Sequence, residues 1–202
     1  MLIPHEEGPF RSVLLFGPPG SGKGTLGKFL ASVCQHLHLS SGDIFRGLSH
    51  DSTAGKLFHS YAHQGHLVPD EVTVQLWHRY VGGLIATNRY FPKRQLLLLD
   101  GIPRTMGQTA LLDAHLAVAH IIVLEMPNIE SLVSRMQKRA RIEGRADDID
   151  PAVLQTRMRV YETQTAELLS HYPSALISRF NADQKPAEVL RDVLVSLSQI
   201  LA

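Results

Sequence analysis

One stretch restricts what this chain can fold into more than any other. The apolar run Val13-Leu14-Leu15-Phe16 leads straight into Gly17-Pro18-Pro19-Gly20-Ser21-Gly22-Lys23-Gly24-Thr25, and a helix-forming segment follows. The spacing is G-x-x-x-x-G-K, set between a strand signal and a helix signal, the context in which such a loop binds phosphate. Its glycines let successive backbone N–H groups turn inward around an anion. The next helix aims the positive end of its dipole at the same point. Lys23 is placed to reach β- and γ-phosphates. Gly24 stands where Ser or Thr usually follows the lysine, so Thr25 is the hydroxyl expected near a metal ion. The loop implies a phosphoryl donor. Alone, it does not separate a kinase from a GTPase or an ATP-driven machine.

Further along, short apolar runs alternate with helix-period segments. Leu96 to Leu99, Ile121 to Leu124 and the weaker Ala175-Leu176-Ile177 join 13–16 as strand candidates. Runs apolar throughout suit strands covered on both faces. Segments 23–32, 69–86, 129–139, 151–170 and 186–201 are predicted helical, three of them opening near a proline. A βαβα order predicts an α/β fold of three layers, α/β/α, with a mainly parallel central sheet. Two stretches interrupt the rhythm. Residues 40–69, punctuated by Gly42, Gly47, Gly55 and Gly65, read as a small helical excursion, and the charged residues 140–150 read as a short lid. The core is then 1–39, 70–139 and 151–202.

Charge supplies little direction. Twenty Lys+Arg against 19 Asp+Glu leave a net charge of +1, no case for nucleic-acid or membrane-surface binding. Fourteen of the 20 are Arg. That excess suits bidentate phosphate recognition, and it fits a genomic base-composition bias equally well. Residues 1–11 lack a basic start followed by an apolar run, so no signal peptide is expected. No apolar run is long enough to span a membrane, and a cytoplasmic protein is the default expectation. Cys34, the single cysteine, reads as a buried structural thiol. His36 and His38 read as exposed strand positions. His59, His63 and His66 recur at helix spacing, but nothing nearby offers a metal a second shell or a task. Trp77 with Leu76, Val81 and Leu84 reads as a core helix face.

Four more segments bear on function: Ser40-Ser41-Gly42-Asp43-Ile44-Phe45-Arg46, Gly65-His66-Leu67-Val68-Pro69-Asp70, Asp100-Gly101-Ile102-Pro103-Arg104-Thr105-Met106-Gly107-Gln108 and Gly144-Arg145-Ala146-Asp147-Asp148. Asp100 ends a strand expected beside the loop, where a carboxylate can hold Mg²⁺ through water; the bland alternative is a turn former. Arg104 and Arg46 are placed to clamp a phosphate from two sides. The Gln108 amide matches the donor–acceptor edge of adenine. With GPPGSGKGT, these segments resemble adenylate kinase in order and spacing over nearly the whole chain. Ser41 replaces the usual Thr of that family, and Ile102 the usual Phe.

The resemblance implies a P-loop fold with an NMP-binding excursion and a short lid. It implies reversible transfer of the terminal phosphoryl group of ATP to AMP, giving two ADP, with Mg²⁺ accompanying ATP, in a monomer. It places Gly20, Ser21, Gly22, Lys23, Gly24, Thr25, Arg135, Arg139 and Lys185 on the ATP side, Lys185 mainly through its backbone. Ser41, Arg46, His66, Leu67, Val68, Gly101, Arg104, Gln108, Arg145 and Arg157 fall on the AMP side, the last two near the transferring phosphates. Lys23, Arg104, Arg139, Arg145 and Arg157 are the catalytic candidates. For any one of these arginines, a solvated face or an ion pair with Glu143, Asp147 or Asp148 fits as well. Some bacterial relatives have a longer, zinc-binding lid built on cysteines; with Cys34 alone and far away, no zinc is expected. A UMP/CMP kinase of the same fold is an alternative, against which Thr105 and Gln108 argue. A non-catalytic nucleotide-binding regulator is the other, against which Lys23, Asp100 and the arginines argue.

Overall fold

The structure, a computed structural model, describes residues 9–144 and 148–202. Five strands form one sheet: β1 (Phe10–Phe16), β2 (Leu37–Ser40), β3 (Leu97–Asp100), β4 (Leu116–Glu125) and β5 (Ile177–Asn181), in the order β2-β3-β1-β4-β5. Every pairing is parallel. The helices are α1 (Lys23–Cys34), α2 (Ser41–Arg46), α3 (Thr53–Ala62), α4 (Asp70–Ala86), α5 (Met106–Leu112), α6 (Ile129–Glu143), α7 (Pro151–Val160) and α8 (Pro186–Leu201).

Strand alternation divides the core into two layers. Leu14 and Phe16 of β1, with Leu97 and Leu99 of β3, face Trp77, Val81 and Leu84 of α4 and Leu112 of α5. Val13 and Leu15, with Leu98 and Ile122, face Leu26 and Leu30 of α1 and Val189, Val193, Leu197 and Leu201 of α8. Each such side chain contributes roughly 1.5–3 kcal/mol on burial. A smaller cluster, Met126, Leu132, Met136 and Leu154, packs α6 against α7. Helix starts follow their capping residues: Asn128 accepts from Ser131 N–H at 3.1 Å, Asp150 from Ala152 N–H at 2.8 Å, and Pro151 and Pro186 occupy first-turn positions. Pro69 stays just outside α4, extended at ψ 141°.

The fourth strand candidate is displaced. Ser174–Leu176 form a 3₁₀ turn and the strand is Ile177–Asn181. As a sheet edge it is only half covered, so Ser178, Arg179 and Asn181 are tolerated and no apolar run marks it. The predicted helix 151–170 is also subdivided: α7 gives way to a π-helical turn, Tyr161–Thr165, and then to a 3₁₀ turn, Ala166–His171. Helix α5, Met106–Leu112, falls in a segment where the sequence pattern predicts no helix. Helix α6 runs on to Glu143, past the predicted helix end at 139, so the segment 140–150 begins as helix. Among the described residues, no helix is long and apolar enough to cross a membrane.

Candidate active site

The loop between β1 and α1 forms the floor of a cleft of about 510 Å³ at the carboxyl ends of the strands. Gly20 (φ +86°) and Gly22 (φ +96°) adopt backbone conformations that favour glycine. A Cβ on Gly20 would lie 2.9 Å from the Leu132 carbonyl oxygen and 3.0 Å from Met136 Cγ, so the loop rests directly on α6. Gly22 caps α1, and Leu26 N–H closes the first turn onto its carbonyl at 2.9 Å. The Lys23 ammonium donates to the carbonyls of Gly17 (2.7 Å) and Pro18 (3.0 Å). Burial pulls its pKa from 10.5 to about 8; Asp100 opposes that fall, while Arg104, Arg139 and Arg157 add to it. Asp100, Arg104, Arg139 and Arg157 line the same cleft as Lys23. Among the described residues, the buried Ser21 Oγ has no hydrogen-bond partner. An orphaned hydroxyl beside inward-turned amides fits a bound anion.

Asp100 ends β3, and the register pairs it with Leu15, two residues before the loop opens. It is buried beside Gly24, at 3.4 Å from where a Cβ would stand. Asp100 and the exposed Thr25 both line the cleft, and their oxygens are of the kind Mg²⁺ takes, with water and phosphate to complete its shell. His38 is not the exposed strand residue that alternation predicted. Its side chain is 7% exposed, Nε2 lies 3.9 Å from Asp100 Oδ2, and the ring fills the space left by the missing side chain of Gly27. Alternation assigns His38 to one face of β2 but does not say that α1 covers that face. His36 is half-buried as well, its Nε2 3.1 Å from the Leu201 carbonyl. Burial lowers the pKa of both rings. Cys34 is only half-buried, packed at the edge of the α1–α8 layer.

Across the cleft, α2 and the β3–α5 turn bring Arg46 and Arg104 to the same space. Arg46 donates to Asp43 Oδ1 at 2.6 Å, and Arg104 Nε to the Gly101 carbonyl at 2.8 Å. Gln108 is 2% exposed, and its amide is oriented by two bonds. Its Oε1 accepts from Arg104 N–H at 2.8 Å, and its Nε2 donates to Asp70 Oδ1 at 3.0 Å. One amide hydrogen and one lone pair remain for a ligand. Ser41 Oγ donates to the Gly101 carbonyl at 2.7 Å, tying α2 to the same turn. His66, Leu67 and Val68 line this side, together with Phe45 of the 40–46 segment and Phe58, which no motif announced, their rings stacked at 5.2 Å.

On the wall formed by α6 and α7, the described residues gather on Asp148. Asp148 is fully buried and receives Arg139 Nε at 2.7 Å and Arg157 Nη1. Arg139 Nη2 also lies 2.6 Å from Oδ2, but its N–H bonds are not aimed at that oxygen. Arg135 is tethered elsewhere: it donates to the Ala182 carbonyl at 2.9 Å and the Gln184 carbonyl at 3.3 Å, on the β5–α8 connection. Lys185 is exposed, and its neighbours Gln184 and Pro186 line the cleft in its stead. Arg145 lies outside the described residues. Of the three histidines at helix spacing, His66 faces the cleft while His59 and His63 do not. His59 instead stacks on His50 at 4.0 Å with planes 12° apart, which keeps their ring lone pairs from converging on one ion. Among the described residues, no group of three potential ligands is arranged for a metal.

A parallel sheet, a glycine loop at its carboxyl edge and arginines on both walls of one cleft define a P-loop nucleotide-binding protein. The adenylate kinase family model matches residues 15–177. The chain is similar to the adenylate kinase of Thermobifida fusca, 37% identical over 92% of this chain and 97% of that protein. It is 38% identical to that of Flavobacterium psychrophilum over 80% of this chain and 84% of the relative, and 41% identical to that of Micrococcus luteus over 79% and 77%. The chain belongs to the adenylate kinase family.

Proposed function

We propose that this chain transfers the γ-phosphoryl group of ATP reversibly to AMP, yielding two ADP. The observation that carries the reading is a single cleft with a phosphate loop on its floor and arginines on both walls. Gly20 to Thr25 hold the donor phosphates, and Arg135 with the Gln184–Pro186 backbone frames the donor base. Arg46 and Arg104 hold the acceptor phosphate, and Gln108 reads the acceptor base, walled by Phe45, Phe58, Leu67 and Val68. Ser41, Gly101 and His66 complete that pocket. Arg139, Arg157 and Arg145 neutralise charge on the group in transit. Residues 40–69 close over AMP and 140–150 over ATP, excluding water that would otherwise take the phosphoryl group.

Phosphoryl transfer requires alignment and charge neutralisation more than proton transfer. A phosphate oxygen of AMP is already an anion, so the cleft needs no general base. Asp100, through water, and Thr25 would hold Mg²⁺, which when bound supplies further neutralisation of donor phosphate charge. A coupled assay with ATP and each of AMP, GMP, UMP and CMP tests the reading. AMP is the expected acceptor. Preference for UMP or CMP would move the assignment to a pyrimidine nucleotide kinase, and nucleotide binding without turnover of any acceptor would make the chain a binding protein.

A further inference from the structure

Helix α7 does not end at Val160; it widens. Residues Tyr161–Thr165 form a π-helical turn before the backbone tightens into the 3₁₀ turn Ala166–His171. A π turn within a helix takes one more residue than an α turn, and such turns occur frequently at functional sites. Eight residues separate Arg157 from Thr165. In a regular α-helix of 3.6 residues per turn, that spacing would leave the two side chains about 80° apart. The wider turn brings Thr165 back toward the Arg157 face, and both residues line the cleft.

There, Thr165 meets the acceptor side. Its Oγ1 donates to the carbonyl oxygen of Arg104 at 3.1 Å, across 61 residues of sequence, and Thr165 is only 8% exposed. Arg104 is held on its other main-chain face by its N–H bond to Gln108. Its peptide backbone is thus pinned from both directions, by the residue assigned to the acceptor base and by the π turn. Leu168, fully buried three residues on, anchors the turn to the core.

We propose that Thr165 is a positioning residue for Arg104: its hydroxyl fixes the main chain from which the acceptor-phosphate guanidinium extends, and the π turn exists to aim it. The proposal rests on Arg104 holding the acceptor phosphate. Thr165→Val keeps the shape and removes the donor. It should raise KM for AMP roughly five- to tenfold, the worth of one neutral hydrogen bond, and lower kcat, with KM for ATP within about twofold of the parent. Thr165→Ser keeps the hydroxyl and should restore KM for AMP. If Thr165→Val does not fold, Thr165→Ala carries the same expectation. Unchanged KM for AMP in the valine or alanine variant, or a parallel rise in KM for both nucleotides with no rescue by serine, overturns the proposal. Arg104→Lys separates the two levels. If it weakens AMP while Thr165→Val does not, the positioning role fails and the acceptor assignment stands. If Arg104→Lys leaves AMP kinetics untouched, both fall.

Discussion

Lys23 and the pair Arg139 and Arg157 line one cleft, yet they hold their charge in different ways. Among the described residues, Lys23 has no carboxylate on its ammonium; it donates to two loop carbonyls, and burial leaves its pKa at about 8. The two arginines converge on Asp148. The floor of the cleft thus keeps a weakly compensated cation ready for phosphate, whereas the opposite wall holds its two cations on one buried carboxylate that a phosphate would have to rival. A charge destined to act can be kept by desolvation or by pairing, and each leaves a different experimental signature.

The largest effect should come from the floor. Lys23→Met removes preorganised charge at the transferring phosphate and should cut kcat by at least about 10²-fold with an unchanged circular dichroism spectrum. Near-parental turnover would end the distinction between floor and wall. Asp148→Asn tests the wall. It leaves two partly exposed guanidinium groups facing a neutral amide, which should cost about 1–3 kcal/mol, below the loss expected for a wholly buried pair. Differential scanning calorimetry should register a fall in Tm of roughly 3–8 °C, smaller when ATP is saturating because its phosphates replace the lost carboxylate. An equal fall with and without ATP would mean that these arginines never leave Asp148 for substrate.

Gln108→Ala should relax the choice of acceptor base, lowering the AMP-to-CMP ratio of kcat/KM about tenfold. An unchanged ratio would refute its role as reader of the base. The smallest effect is on pH. A lysine whose folded pKa lies near 8, below its unfolded 10.5, binds fewer protons in the folded state between those values, so this group's penalty on stability is complete below pH 8 and eases above it. Polyphosphate favours the charged form, so ATP binding takes up a proton above pH 8. Affinity for ATP, measured calorimetrically without Mg²⁺, should weaken by less than tenfold per pH unit from 8 to 10, and Lys23→Arg should flatten that slope. A flat parental profile would mean that Lys23 keeps its ordinary pKa.

What could be read in the sequence follows how local each feature is. The phosphate loop is nine consecutive residues between a strand and a helix, and all its logic lies within that window. Asp100 was legible because an apolar run stops at it. The fold class came from runs buried on both faces, and β5 slipped because an edge strand has no need to be apolar. His38 was misassigned for a related reason: period-2 alternation separates two faces without saying that Gly27 leaves room for a ring against one of them. Asp148 could be suspected as a counter-ion, but its burial between two helices depends on α6 and α7 packing through Met136 and Leu154. Thr165 had no signal at all, because a change from α to π hydrogen bonding leaves the apolar pattern of 151–170 intact.

Gly20 has a consequence for how the cleft can move. With no side chain between them, the loop backbone lies against the Leu132 carbonyl and the Met136 side chain. The first two turns of α6 and the loop are therefore one rigid piece, and Arg135 travels with it. A closing motion of the proposed lid would have to be taken up beyond Met136, with Arg139, one turn past Arg135, on its moving side. The hinge would then fall between the two arginines, so that a docked donor would be gripped at its base by a fixed jaw and at its phosphates by a mobile one.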